Sequence, residues 1–599
     1  MFRSSRKSVL VLTVVAACIL VLASCAGRRA GEPTRAPFGV PGRKAVAIKI
    51  PKPFDVGSDS VLGYIMVPSL DATLGHVETM AAAFAPGQTQ PGMLKQQLGT
   101  MVGDPDMSGL DGSKPILLMI LKSENASGPA PVTAFIPVKN AAPYEQALTG
   151  LGMQTRLADD ILMASRAAGG LAVAQRFVPV YKKIARSELK SDLRISFKLS
   201  QLMDVYGDTI RTQVNTMVNM ITAVSAAQRP GGQANQQAVA AELSKLLNLE
   251  LEGILTLFGQ VDVVQSDISL DAAAITMNKI AVAKRGSALA KLFGSGPAGE
   301  NATLALLSRP SAMMMSAQFD PRRLSDFAVE FANQLVKQNA TAAEILTPEV
   351  IAIYRDMGAY NSGTMAFSVN PVEGSPFAFE SVTGVTDEAR CLAMIEKSMS
   401  VMAPGGTLNR MYGNMGLKFS TTLEKGVREH AGVSIHRLKM TFDVAGVPEA
   451  EAAQMKAMMR DAEIAVTKGY YLASQNPAAL DGMIDRLAAS KPGQPATLKA
   501  MEAFGDGWHV YMDLDFIGFM KAMAEMMPET QKNSLQPVLG EVGTTEPMVA
   551  AMGWSGGSAQ AQLKIPLAPF AAIVKAAQAS RPGTGARPVP TPSQGGSKG

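Results

Sequence analysis

The sequence predicts an α+β fold: two similar tandem domains, each a mostly antiparallel sheet with helices packed on one face. Three observations carry this expectation. The chain has 599 residues, more than a single hydrophobic core usually organises. It is 47% hydrophobic and 18% charged, as a packed globular protein is. Five strand and helix segments recur in the same order in its two halves, the mark of an internal repeat.

The first recurrence pairs "VLGYIMVPSLDATLGHVETM" at Val61 with "AMMMSAQFDPRRLSDFAVEF" at Ala312. Each is an apolar strand, a polar or proline break, and an amphipathic helix; Leu74 falls opposite Leu324, and Val77 opposite Phe327. Next come two strand pairs, "PILLMILK" with "VTAFIPV" and "GTMAFSVN" with "FAFESVTG", each interrupted by Gly, Pro and Ser turn residues. A helix with an acidic start follows each pair, "NAAPYEQAL" and "TDEARCLAMI". "DDILMASRAAGGLAVAQRF" at Asp159 then matches "KGYYLASQNPAALDGMIDRL" at Lys468, a strand ending in Ala-Ser before a helix. "LRISFKLSQLMDVYG" at Leu193 matches "WHVYMDLDFIGFMKA" at Trp508, with Leu199 opposite Leu514. Last, "ITMNKIAVAKRGSALAKLF" at Ile275 matches "AQAQLKIPLAPFAAIVKA" at Ala559, an alternating strand feeding a closing helix.

These matches place a first α+β domain over 45–298, with a helical insertion near 205–260 broken at Arg229-Pro230-Gly231-Gly232. A second spans 299–579 and adds a hairpin near 417–444. The alternating strands leave one sheet face less apolar, so that face is solvated or lines a groove. The Arg, Gly and Pro-rich stretch 25–44 reads as a flexible tether, and 580–599, with neither periodicity nor apolar face, as a disordered tail.

The N-terminus gives an address. Arg3, Arg6 and Lys7 precede an apolar run from Val9 to Leu22, as in a signal peptide over 1–24; the run is short of the ~20 residues that a membrane span needs. Leu22-Ala23-Ser24-Cys25 resembles the lipobox of bacterial lipoproteins. That resemblance implies cleavage before Cys25 and acylation of its thiol and new amino terminus. It implies a chain anchored by lipid to a bacterial membrane, on the periplasmic or surface side. Ala26 in place of an aspartate leans towards the outer membrane by the enterobacterial sorting pattern. Two or three acyl chains hold a protein stably where one does not, and about 20 flexible residues reach on the order of 25 Å. The strand "GYIMVPSL" with its helix and the repeated α+β units also look similar to DUF3352-type exported proteins, a family that brings no known activity.

The remaining composition narrows the function. Of three cysteines, Cys18 lies in the signal and Cys25 would carry lipid. Cys391 is left, so the mature chain has no internal disulfide. The formal charge of +5 falls to +2 once Arg3, Arg6 and Lys7 are removed, which leaves no basic footprint for nucleic acid. The histidines are His76, His430, His436 and His509, without HExxH or paired CxxC, so no metal or cofactor is expected. His430 and His436 flank the extra hairpin, where a surface metal site is the alternative to the favoured reading as ordinary loop and strand residues. Asp513 and Asp515 in "YMDLDF" share one side of a strand, the arrangement that acid/base or cation chemistry would use; a solvated strand face accounts for them equally. Ser187-Glu188-Leu189-Lys190 has SxxK spacing without its supporting motifs, and "GWSGG" at Gly553 reads as a strand-end turn. Methionines cluster on helices, with Met520, Met523, Met526 and Met527 on one side, suited to core filling or to adaptable apolar contacts. The expectation is a non-catalytic envelope protein that binds an apolar ligand, a lipid or an envelope partner. A scaffold acting through protein contacts and an enzyme centred on Asp513 and Asp515 are the alternatives.

Overall fold

A computed structural model describes residues 48–579. It omits 55–57, 85–89, 123–130, 168, 186–188, 228–232, 295, 297–300, 373–374, 407–408, 411–412, 414–416, 445–459, 490–496, 526, 528 and 544. The expected signal 1–24, Cys25, the tether 25–44, the tail 580–599 and the pair Ser187 and Glu188 lie outside the described residues, as does Met526.

The architecture is α+β, built on one large antiparallel sheet of 18 strands among the described residues. The first half supplies β1 Val61–Val67, β2 Ile116–Leu121, β3 Val132–Pro137, β4 Gln154–Ala158, β5 Ile161–Ser165, β6 Leu193–Phe197, β7 Val261–Leu270 and β8 Ala274–Ala283. The second supplies β9 Met313–Gln318, β10 Asn361–Val372, β11 Ser375–Val385, β12 Leu417–His430, β13 Val433–Val444, β14 Ala462–Thr467, β15 Tyr470–Ser474, β16 Val510–Leu514, β17 Met548–Ser555 and β18 Ser558–Pro566. Pairing runs outward from β8 as β8-β7-β6-β1-β2-β3-β5-β4. Outward from β18 it runs β18-β17-β16-β9-β10-β11-β15-β14, with β13 and β12 beyond.

The halves meet where β8 pairs with β18, from Ala274 opposite Pro566 to Val282 opposite Ser558, with Asn278 facing Gln562 at the centre. The sheet therefore passes through both expected domains without a break. Its outer strands, β4 and β12, are polar or charged along much of their length, which discourages further pairing at the edges. Tight hairpins fold because glycines take the left-handed conformation that two-residue turns demand: Gly556 and Gly557, at φ 58° and 84°, join β17 to β18. This places "GWSGG" at the end of a strand.

The helices cover both faces, which corrects the expected one-sided packing. On one face, Tyr64, Met66, Leu117, Met119, Phe135 and Met163 pack under the helices Gly170–Gln175 and Val178–Ala185, with Tyr181 stacked on Phe135 at 5.9 Å. On the other, Leu162, Ile116 and Ile136 meet Tyr144 and Leu148 of the helix Ala142–Gly150. The second half repeats this division. Ala366, Val382, Leu472 and Ala465 lie under the helix Pro477–Ala488, while Val385, Val466 and Tyr471 lie against Cys391 and Met394 of the helix Glu388–Met402. The physical reason is visible in strands such as "ILLMIL": a strand apolar on both sides needs a cover on both sides.

The expected helical insertion consists of the helices Leu199–Ala227 and Gln233–Gly259 between β6 and β7. The corresponding stretch between β16 and β17 holds the shorter helices Phe516–Glu525 and Glu529–Glu541. The connection between β6 and β7 is thus the longer of the two. β12 and β13 form a hairpin that pairs Leu417 with Val444 and His430 with Val433.

Candidate ligand-binding cavity

The segment "IKIPKPF", Ile48–Phe54, leads into the fold from the N-terminal side. Pro51 and Pro53 lack N–H groups and bias the residues before them towards extended backbone, so the segment crosses the sheet as a strap and is not a ladder strand. One end is fixed on the second half: the Ile48 side chain sits over Gly553 of β17, where even a Cβ would come within 2.5 Å of it. The other end is fixed on the first half. The Phe54 N–H donates to Gln265 Oε1 at 2.9 Å, and the Phe54 ring packs on the cluster of Val61, Tyr64 and Met66.

Between strap and sheet lies a cavity of about 370 Å³, within the range of small-molecule sites. Its roof is Ile50 to Phe54. Its floor comes from Gly63 and Tyr64 of β1, Ser196 and Lys198 at the end of β6, Val263 of β7, Val282 of β8 and Ser558 of β18. Both halves contribute, and the walls are mainly apolar. Gly63 is required where it stands, because a Cβ there would collide with the Phe197 ring and approach the Ser196 carbonyl oxygen to 2.9 Å.

Beside the cavity the central sheet face is polar. Arg194 grips Asp267 with Nε and Nη2, the latter 2.8 Å from Oδ2, and both side chains are largely buried. Gln265 Nε2 donates to the same Asp267 oxygen at 3.1 Å, which orients the Gln265 carbonyl towards Phe54. Further along this face Gln560 donates to Asn278 across the junction of the halves at 2.7 Å. The strap crosses this polar central stretch.

Tyr64 is the exception in an otherwise paired network. It is 2% exposed, and its hydroxyl is buried without a hydrogen-bond partner among the described residues. Ser196 and Arg194 stand close enough to influence it but outside hydrogen-bond geometry. Burial pushes its pKa up against the pull of the Arg194 charge, so it is a neutral phenol with a proton to donate. Lys198 Nζ donates to the Ser58 carbonyl at 2.8 Å and lies 3.5 Å from the exposed Asp59 carboxylate.

The residues singled out from sequence have other duties. Asp513 accepts the Lys499 and Ala500 N–H groups at 2.6 and 2.8 Å, capping the helix Lys499–Phe504. Burial raises its pKa while those two N–H bonds draw it down. Asp515 accepts the Gly518 N–H at 2.9 Å at the start of the helix Phe516–Glu525. The two carboxylates therefore serve the starts of different helices. His430 pairs with Asp485 at 2.8 Å, whereas His436 Nδ1 accepts the Gly426 N–H at 3.0 Å, so these two histidines have separate partners. His76 pairs with Asp192 at 2.7 Å. His509 is buried and stacks on Trp554 with centroids 4.0 Å apart. Its Nδ1 accepts the Trp554 N–H, which leaves Nε2 to donate to Gly296. No group of three or more His, Cys, Asp or Glu suited to a metal ion occurs among the described residues. Cys391 is buried in an apolar cluster, and Met520 and Met523 are half-buried.

Sequence reasoning missed the strap and the cavity. Gly63 inside an apolar strand and the paired prolines of "IKIPKPF" are the local signals that point to them. No helix among the described residues is long and apolar enough to cross a membrane. Compared with known proteins, the chain matches no family model, no curated protein and no solved structure.

Proposed function

We propose that this is a non-catalytic, lipid-anchored protein of the bacterial cell envelope that holds an apolar ligand between its N-terminal strap and the central strands of its sheet. The observation that carries the reading is the mainly apolar cavity of about 370 Å³ roofed by Ile50–Phe54. The roof lies about 25 residues beyond the proposed lipid-bearing Cys25, so the ligand would be kept close to the membrane. Anchor and cavity are tested separately. Metabolic labelling with an azide-bearing palmitate should mark the full chain, and Cys25→Ser should abolish the label and release the protein from membranes. Organic extraction of purified full chain should yield an apolar molecule, and Val282→Trp, which fills the floor, should yield little. A membrane-bound, unlabelled Cys25→Ser variant would overturn the anchor; equal extracts from both chains would overturn the ligand.

The fold is further read as an internal duplication. Support comes from the identical strand order on either side of the β8–β18 pair and from its register. The sequence match that sets Ile275 opposite Ala559 also sets Asn278 opposite Gln562, and these two residues face each other at the centre of the junction. Such self-complementary pairing is how two copies of one unit meet about a two-fold axis.

A scaffold acting through protein contacts is favoured by one observation. Met217 and Met220 of the helix Leu199–Ala227, with Ile254 and Phe258 of the helix Gln233–Gly259, are 38–61% exposed. Crosslinking in intact cells from Met220 would give a defined protein adduct under that reading and none under the carrier reading.

A further inference from the structure

The side chains of Lys52, Tyr64, Ser196, Lys198 and Ser558 line the cavity, and each carries a hydrogen-bond donor. The Tyr64 hydroxyl is buried and unpartnered, Ser196 beside it is 5% exposed, and the Lys198 ammonium stands at the end of the same strand. Lys52 adds a second positive charge to the roof. The nearby acceptors are committed or face solvent. Asp267 is held by Arg194 and Gln265, and the Asp59 side chain is 97% exposed. A buried donor without an acceptor is destabilising, so a ligand that brings an acceptor recovers that loss. The walls formed by Pro51, Phe54, Val263 and Val282 offer apolar side chains.

We propose that the cavity takes a single-chain amphiphile with an anionic oxygen head, a carboxylate or phosphate monoester. Its head would lie among Tyr64, Ser196 and Lys198, and its chain between the strap and β7 and β8. This rests on the carrier reading above and adds the headgroup. The volume suits one acyl chain and excludes a diacyl lipid enclosed whole. The ammonium supplies charge, while the two hydroxyls supply direction, since an anionic oxygen accepts several hydrogen bonds at once.

Native mass spectrometry of the full chain, released from a non-ionic detergent, tests this with four probes: laurate, dodecyl phosphate, dodecanol and dodecylamine. One laurate or one dodecyl phosphate should bind per chain at least about tenfold more tightly than dodecylamine, the difference that a charge-assisted hydrogen bond supplies. The better of the two anions identifies the head. Lys198→Gln should weaken the anions about tenfold and leave dodecanol unchanged, which also shows that the variant is folded; Tyr64→Phe should weaken anions and dodecanol alike. Dodecylamine binding as tightly as laurate, or Lys198→Gln leaving laurate unchanged, would overturn the headgroup while the apolar carrier stands. Binding of none of the four would remove both.

Discussion

Replacing Gln265 by Met should loosen the strap while leaving the sheet intact. The Gln265 amide is held at one end by Asp267 and receives the Phe54 N–H at 2.9 Å at the other. Methionine keeps the length of the side chain and removes both polar atoms. The Phe54 N–H then loses an acceptor worth about 0.5–1.5 kcal/mol, or up to about 3 kcal/mol if it stays buried unpaired. Phe54 is half-buried, so its amide regains water when the strap lifts, and the expected cost is about 1–2 kcal/mol. Asp267 keeps both Arg194 contacts, so the buried ion pair survives and little of the cost reaches the core. A local cost of that size raises the open population of the strap roughly 5- to 30-fold. Hydrogen exchange read by mass spectrometry on a peptide covering 48–54 measures it through the amides of Lys49, Ile50, Lys52 and Phe54. Strap exchange should accelerate by that factor while β1 and β6 keep their protection. Unchanged strap exchange, or equal acceleration in strap and sheet, would refute the view that Gln265 fastens the strap.

Two further outcomes follow from the polar side chains. Asp513→Ala and Asp515→Ala should each cost about 1 kcal/mol through a lost helix cap, seen as lower urea midpoints, with Asn at either position losing less; full stability in both alanine variants would contradict the capping role. Burial holds the His509 pKa below the ordinary histidine value, opposed by the bond to the Gly296 carbonyl. The unfolded chain therefore takes up that proton first, and stability rises with pH between the folded value and about 6.5. The contribution is complete above about pH 6.5 and is lost as pH falls through the folded value. Thermal midpoints across this window should fall more steeply in the parent chain than in His509→Gln; parallel curves would show that His509 does not titrate on unfolding.

Much of the strand inventory was legible because it rests on local pattern. The apolar runs at Val61, Pro115, Ile161 and Met313 announce β1, β2, β5 and β9, and Ala-Ser before a helix marks both β5 and β15. β4, β7, β14 and β17 were harder. β4 is a polar edge strand, and β7, "VDVVQSDISL", mixes polar residues into both faces near the central stretch. The two-sided helix cover was implicit in the unbroken apolar runs, yet alternation elsewhere suggested a bare face. The β8–β18 junction joins residues about 280 apart in sequence, beyond the reach of any local pattern. The strap is fixed by Gly553 and Gln265, two positions whose importance depends on what crosses them. Asp513 and Asp515 look like chemistry because they fall on one side of a strand pattern, but the helix Lys499–Phe504 before the strand and the helix Phe516–Glu525 after it use them as caps.

Photo-crosslinking shows whether an apolar molecule sits under the strap. Full chain is incubated with a diazirine-bearing fatty acid, irradiated and digested, and the labelled residues are mapped by peptide mass spectrometry. Label should fall on 50–54 and on Val263 and Val282, and Val282→Trp should abolish it. Label confined to the exposed residues of the helices Leu199–Ala227 and Gln233–Gly259, with none on the strap, would contradict that placement.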